Sequence, residues 1–153
     1  MQRNNGKKII GVIGGRSITD ELRIIAESTG ELIAQKGYML ICGGMGGVME
    51  AACRGAKNNN GITIGILPGK NKTESNKFID IPIVTAMSHA RNAIIVRSSD
   101  ALIAIGGQYG TLSEIALAKA IEKPVLGIKT WDIEGVIPFD TPLDAINYLE
   151  KHI

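Results

Sequence analysis

Short apolar runs alternate with longer amphipathic stretches along the chain. Residues 9–13 form an apolar run that stops at Gly14 and Gly15, which predicts a strand buried on both faces of a parallel sheet. In residues 19–36, Leu22, Ile25, Ala26, Leu32 and Ile33 recur at helical spacing, with Ser17 or Thr19 as the cap and Gly37 as the stop. Residues 38–42 predict a second strand, ending at Gly43 and Gly44, and residues 48–57 a helix halted by Asn58, Asn59, Asn60 and Gly61. A third strand is expected over 62–67, a polar surface loop over 70–77 and a short strand over 81–84. Residues 87–98 read as one helix, with Ala90, Ile94 and Ile95 towards the core. Strand 101–105 ends at Gly106 and Gly107, and helix 111–121 follows, closed by Lys123 and Pro124. Strand 125–128, a loop through 131–138 and a helix over 142–149 complete the chain.

This is a β-α unit repeated without linkers. It predicts one α/β domain over residues 1–153, a Rossmann-like doubly wound parallel sheet with helices on both faces. Ligands of such sheets sit beyond the carboxyl ends of the strands, where the winding reverses.

Composition narrows the partners. A length of 153 residues suits one core. Aromatic residues are scarce and the net charge is only +2, so neither base stacking nor a basic surface points to nucleic acid. No apolar stretch reaches the length of a membrane span, and the polar residues 1–8 are no signal peptide, so a cytoplasmic protein is expected. Cys42 and Cys53 match no metal or redox spacing and are expected to be reduced, buried thiols. No cluster of metal ligands is visible.

The chemistry lies in where the nineteen glycines fall. Three clusters directly follow three strands and lead into helices: Gly14 and Gly15 with Ser17 close behind; Gly43, Gly44, Gly46 and Gly47; and Gly106, Gly107 and Gly110, with Gln108, Tyr109 and Thr111. One glycine suffices for a tight turn. Several together let backbone N–H groups approach a ligand, and a helix N-terminus behind them favours an anion. A phosphorylated, nucleotide-like ligand is expected. The first turn is not G-x-G-x-x-G and no acidic residue ends the second strand, which disfavours a dinucleotide. A Walker lysine is also missing, because Asn71 follows Gly69 and Lys70. Thr111 and Glu114 stand three residues apart on one helix face beside this anion site. They read as site residues, and as a capping box with Thr111 at the N-cap, which does not exclude a catalytic role. Arg91 can point into the same crevice or pair at the surface; His89 reads as a surface residue, and Asn92 as a polar contact or plain helix surface.

These residues resemble the Lonely Guy proteins, the lysine decarboxylase-like phosphoribohydrolases. Residues 42–50 are similar to that family's G-G-G-x-x-G-x-M turn, residues 106–114 to its P-G-G-x-G-T-x-x-E signature, and residues 87–92 to its M-x-x-R-K segment. The order and spacing of the three agree. Gly106 replaces the signature proline, Gln108 its second glycine, and Asn92 the lysine, as in a shorter branch close to the molybdenum-cofactor carrier proteins. The resemblance implies hydrolysis of nucleoside 5′-monophosphates such as cytokinin nucleotides, releasing the free base and ribose 5-phosphate. Arg91 and Glu114 would be catalytic, and the glycine turns, Ser17, Met87 and Thr111 would bind the nucleotide. The alternative it implies is a carrier that binds a nucleotide or a molybdopterin-type ligand without turnover. No cofactor would be required, and a homo-oligomer, dimer or tetramer, is expected.

Overall fold

The apolar runs become seven strands in a computed structural model that describes residues 6–153; the first five residues of the polar stretch 1–8 lie outside it. The strands are β1 (Ile9–Gly14), β2 (Met39–Cys42), β3 (Thr63–Leu67), β4 (Ile81–Val84), β5 (Ala101–Ile105), β6 (Val125–Ile128) and β7 (Val136–Pro138). They form one parallel sheet in the order β4-β3-β2-β1-β5-β6-β7. Alternate residues of each strand feed two cores, as a pleated strand requires. Ile10, Val12, Leu40, Ile103 and Leu126 face helices α1 (Asp20–Gln35), α2 (Val48–Asn58) and α5 (Pro142–His152). Ile13, Ile41, Leu102 and Ala104 face α3 (Asn92–Ser98) and α4 (Tyr109–Ala120). The doubly wound domain read from the sequence is therefore the observed one.

The winding reverses between β1 and β5, which pair with Gly14 opposite Ile105. From β1 the chain goes to α1 on one face, and from β5 to α4 on the other. Their carboxyl ends thus diverge, and a crevice opens between them.

Helix ends follow their capping residues. Thr19 accepts a hydrogen bond from the Leu22 amide at 3.2 Å and starts α1. Gly37, at φ 76°, ends it: the Tyr38 N–H reaches Ile33 O at 3.1 Å and the Gly37 N–H reaches Ala34 O at 2.9 Å. Helices α1 and α2 pack backbone to backbone. A Cβ on Gly30 would collide with Ala52 O, and one on Gly55 with Glu27 O.

Three expectations change. Residues 87–98 are not one helix, because Ala86 and Ser88 take left-handed φ values of 53° and 52°. A 3₁₀ turn (Ser88–Arg91) precedes the seven-residue α3, and Ala90 is exposed rather than core-facing. Helix α4 begins at Tyr109, two residues before the expected start. Strand β7 falls within the expected loop 131–138; three residues ending in proline at a sheet edge leave no period to detect. No helix among the described residues is long and apolar enough to cross a membrane.

The α1–α2 contact has a direct consequence. Gly30→Ala and Gly55→Ala each force the helices apart and should lower unfolding free energy by about 1–3 kcal/mol, the usual range for overpacking. Urea titration measures this, and unchanged midpoints would contradict the packing.

Candidate functional site

Helix α4 brings the polar chemistry inside. Its buried residues are Thr111, Glu114, Ile115 and Ala118, a stripe of i, i+3, i+4 and i+7. Two polar side chains therefore share the face that otherwise meets the core. The N-cap is Gln108, so Thr111 lies inside the first turn and the capping-box reading does not hold. The first intrahelical bond runs from the Leu112 N–H to Gln108 O. The N–H groups of Tyr109, Gly110 and Thr111 precede it and have no carbonyl partner within the helix. No acidic residue occupies this turn, which leaves its positive end open to an anion.

Arg91 ends the 3₁₀ turn and is only 7% exposed. It donates through Nη1 to Asn92 Oδ1 and through Nη2 to Gly43 O at 3.4 Å. Its Nε is buried with no partner among the described residues. Asn92 is held in turn: its Nδ2 donates to Ser113 Oγ at 3.1 Å, and Ser113 Oγ donates to Gly110 O at 2.7 Å. A side-chain chain thus ties Arg91 to the first turn of α4.

Between these groups lies a cavity of about 340 Å³ at the β1–β5 crevice. Gly14, Gly15 and Ser17 form one side, Gly110, Thr111 and Glu114 another, and Arg91 and Asn92 a third. Glu114 is also 7% exposed, and burial pushes its carboxyl up to about 8 against the opposing pull of Arg91. Burial likewise lowers Arg91; Glu114 counters the shift, and Arg16 adds to it. None of the ion pairs among the described residues joins Arg91 to Glu114. The site thus presents a buried cation beside a carboxyl that is largely neutral at pH 7.

The residues expected at the site divide by position. Arg91, Glu114, Gly14, Gly15, Ser17, Gln108, Gly110 and Thr111 line the cavity. Gly106 and Gly107 border a second hollow of about 520 Å³, which shares Gly15, Ser17 and Gln108 with the first. Tyr109 is 81% exposed and Met87 45% exposed, and neither lines the cavity. Gly43 lies beneath the Arg91 guanidinium; a Cβ there would come within 2.7 Å of Nη2. Gly44, Gly46 and Gly47 do not reach the cavity. The reason is the α2 terminus. The Val48 N–H is spent on Gly15 O at 3.0 Å, and Gly47, at φ 69°, packs on that same carbonyl. Asn76 also clasps the turn, donating to Gly44 O at 2.8 Å and Met45 O at 2.9 Å.

Arg16, Met49 and His89 line the cavity without having been assigned to it from sequence. A cation directly after the first glycine pair was a usable signal for Arg16. Met49 and His89 carried none. Cys42 and Cys53 are both buried and unbonded, with sulfurs 3.6 Å apart, and this contact with burial pushes the Cys53 thiol well up.

The model of the SLOG cluster4 family matches residues 7–150. The chain belongs to that family. Among solved structures, it is similar to the molybdenum cofactor binding protein of the phototrophic bacterium Rippkaea orientalis, at 40% identity and TM-score 0.90 over 95% of this chain and 96% of that one. It is also similar to the molybdenum cofactor carrier protein of Chlamydomonas reinhardtii, at 35% identity and TM-score 0.88 over 95% and 97%. A probable cytokinin riboside 5′-monophosphate phosphoribohydrolase of Oryza sativa subsp. japonica is 36% identical over 89 residues, 56% of this chain but only 38% of the rice protein. The Lonely Guy resemblance of the family is thus shown, together with full-length likeness to cofactor carriers.

The raised Glu114 value links stability to pH. Below its ordinary value of 4.5 the carboxyl is protonated in both folded and unfolded chains. Between 4.5 and about 8 only the folded chain keeps the proton, so its stability falls as pH rises. Glu114→Gln removes this dependence. Its melting temperature should match the wild type near pH 4.5 and exceed it above pH 8; parallel curves would refute the burial of an ionisable group here.

Proposed function

We propose that the chain holds a phosphorylated heterocycle in the β1–β5 crevice without breaking it, and that a molybdopterin-type cofactor is the ligand class it carries. The observation that carries this reading is the buried Arg91, in no ion pair among the described residues, lining one cavity with Glu114, whose carboxyl burial pushes up to about 8. A phosphate in the cavity pairs with the Arg91 guanidinium. It also takes the N–H groups of Gly110 and Thr111, and it accepts the proton of Glu114 as a hydrogen bond. Arg16 adds a second cation. In this reading recognition rests on phosphate and ring. The likeness to carrier proteins along almost the whole chain supports this reading.

A second reading, nucleoside 5′-monophosphate phosphoribohydrolase, is favoured by Arg91 and Glu114 facing one cavity. Cleavage of an N-glycosidic bond passes through an oxocarbenium-like state that a carboxylate stabilises. A neutral Glu114 does not do that, though it suits a general acid protonating the leaving base. We further propose a homo-oligomer, dimer or tetramer, because Ile81, Ile83 and Val84 of the edge strand are exposed beside Met87.

One preparation tests these readings. Native mass spectrometry of purified protein should show an assembly of two or four chains carrying added mass, released on denaturation as a phosphorylated pterin. Incubation with AMP or isopentenyl-AMP should yield no free base. An unloaded protein that releases base, and loses this ability in Glu114→Ala, would overturn the carrier reading in favour of the hydrolase.

A further inference from the structure

Trp131 is the chain's single tryptophan, and none of the chemistry above uses it. It stands three residues beyond β6, packed partly against the core under α3 and α4. Its Nε1 donates to Gln108 O at 3.2 Å, and its neighbour Thr130 donates through Oγ1 to Gly106 O at 2.6 Å. The indole is thereby fastened to the turn that borders the cavity. Tyr109, 81% exposed, lies beside it with ring centroids 6.1 Å apart.

The second hollow runs along this turn, from the edge of the cavity to the indole. Trp131 and Leu22 supply its apolar walls, and Gly106 and Gly107 its backbone wall. Leu22 occupies the place where a Cβ on Gly106 would point, 2.7 Å from its Cδ1. Lys129 adds a cation, its Nζ paired with Glu21 at 3.1 Å. The cavity itself, about 340 Å³, lies near the lower end of ligand-site volumes, roughly 300–1,000 Å³. In this reading a phosphate and its adjoining sugar or chain occupy it, and the fused ring attached to them extends into the second hollow. The shared residues Gly15, Ser17 and Gln108 open the way towards Trp131.

From this we infer that Trp131 and Leu22 form a ring subsite that takes the planar nitrogen heterocycle of the ligand, a purine or a pterin, by stacking on the indole. The inference rests on the reading that the phosphate occupies the Arg91 cavity. Ring stacking on an aromatic side chain tolerates either ring, since both present a π-face.

Intrinsic fluorescence tests this in the wild-type protein, since every emission change reports Trp131. AMP should quench it. Ribose 5-phosphate alone should leave the emission nearly unchanged, and added to the AMP complex it should displace AMP and restore the emission. By calorimetry, Trp131→Ala should weaken AMP about tenfold and spare ribose 5-phosphate, and Trp131→Phe should restore most of the loss and control for folding. A phosphorylated pterin titrated alongside names the preferred ring by whichever ligand loses more affinity in Trp131→Ala. AMP that competes with ribose 5-phosphate yet neither quenches nor depends on Trp131 would overturn the ring subsite and leave the phosphate site standing. Failure of ribose 5-phosphate and AMP to bind at all would overturn both.

Discussion

The crevice between β1 and β5 is the constraint on which the site depends. Two neighbouring parallel strands send their helices to opposite faces of the sheet, so nothing covers their carboxyl ends. Whatever stands there is brought by the loops. The β1 turn contributes Gly14, Gly15 and Arg16, the β5 turn leads into the open N-terminus of α4, and the 3₁₀ turn after β4 swings Arg91 across from the far half of the sheet. The α2 terminus is tied to the first turn by the Val48 N–H on Gly15 O, with Gly47 packed on the same carbonyl.

Electrostatics then decides what such a crevice can hold. Arg91 is almost fully buried, and its charge is met by amide and backbone oxygens, with no ion pair to a carboxylate among the described residues. Glu114 is equally buried and answers by keeping its proton. A buried cation without a partner anion is costly, and a phosphate arriving beside it removes that cost. The same neutral carboxyl that tolerates a phosphate serves poorly as the anionic partner of a developing oxocarbenium ion, and on that ground we propose holding over cleaving.

Much of this was legible in the chain because the signals were local. Strand runs ending in glycine located the carboxyl edge of the sheet, and the spacing of Thr111 and Glu114 placed them on one face of a helix. What was hidden depends on contacts distant in sequence. Gly47 looks like a phosphate-binding glycine until Gly15 O is seen packed on it. Arg91 looks like the start of a long helix until the left-handed Ala86 and Ser88 turn that start into a 3₁₀ corner. Strand β7 is too short to show a period, and the place of Trp131 beside the β5 turn depends on the pairing of β5 with β6.

The central claim is the position of the phosphate, and a crystal structure with ribose 5-phosphate tests it most directly. The account predicts phosphate oxygens within hydrogen-bonding reach of the Gly110 and Thr111 N–H groups and of the Arg91 guanidinium. A phosphate bound instead beside Lys129 in the second hollow, with the Arg91 cavity holding only water, would contradict it.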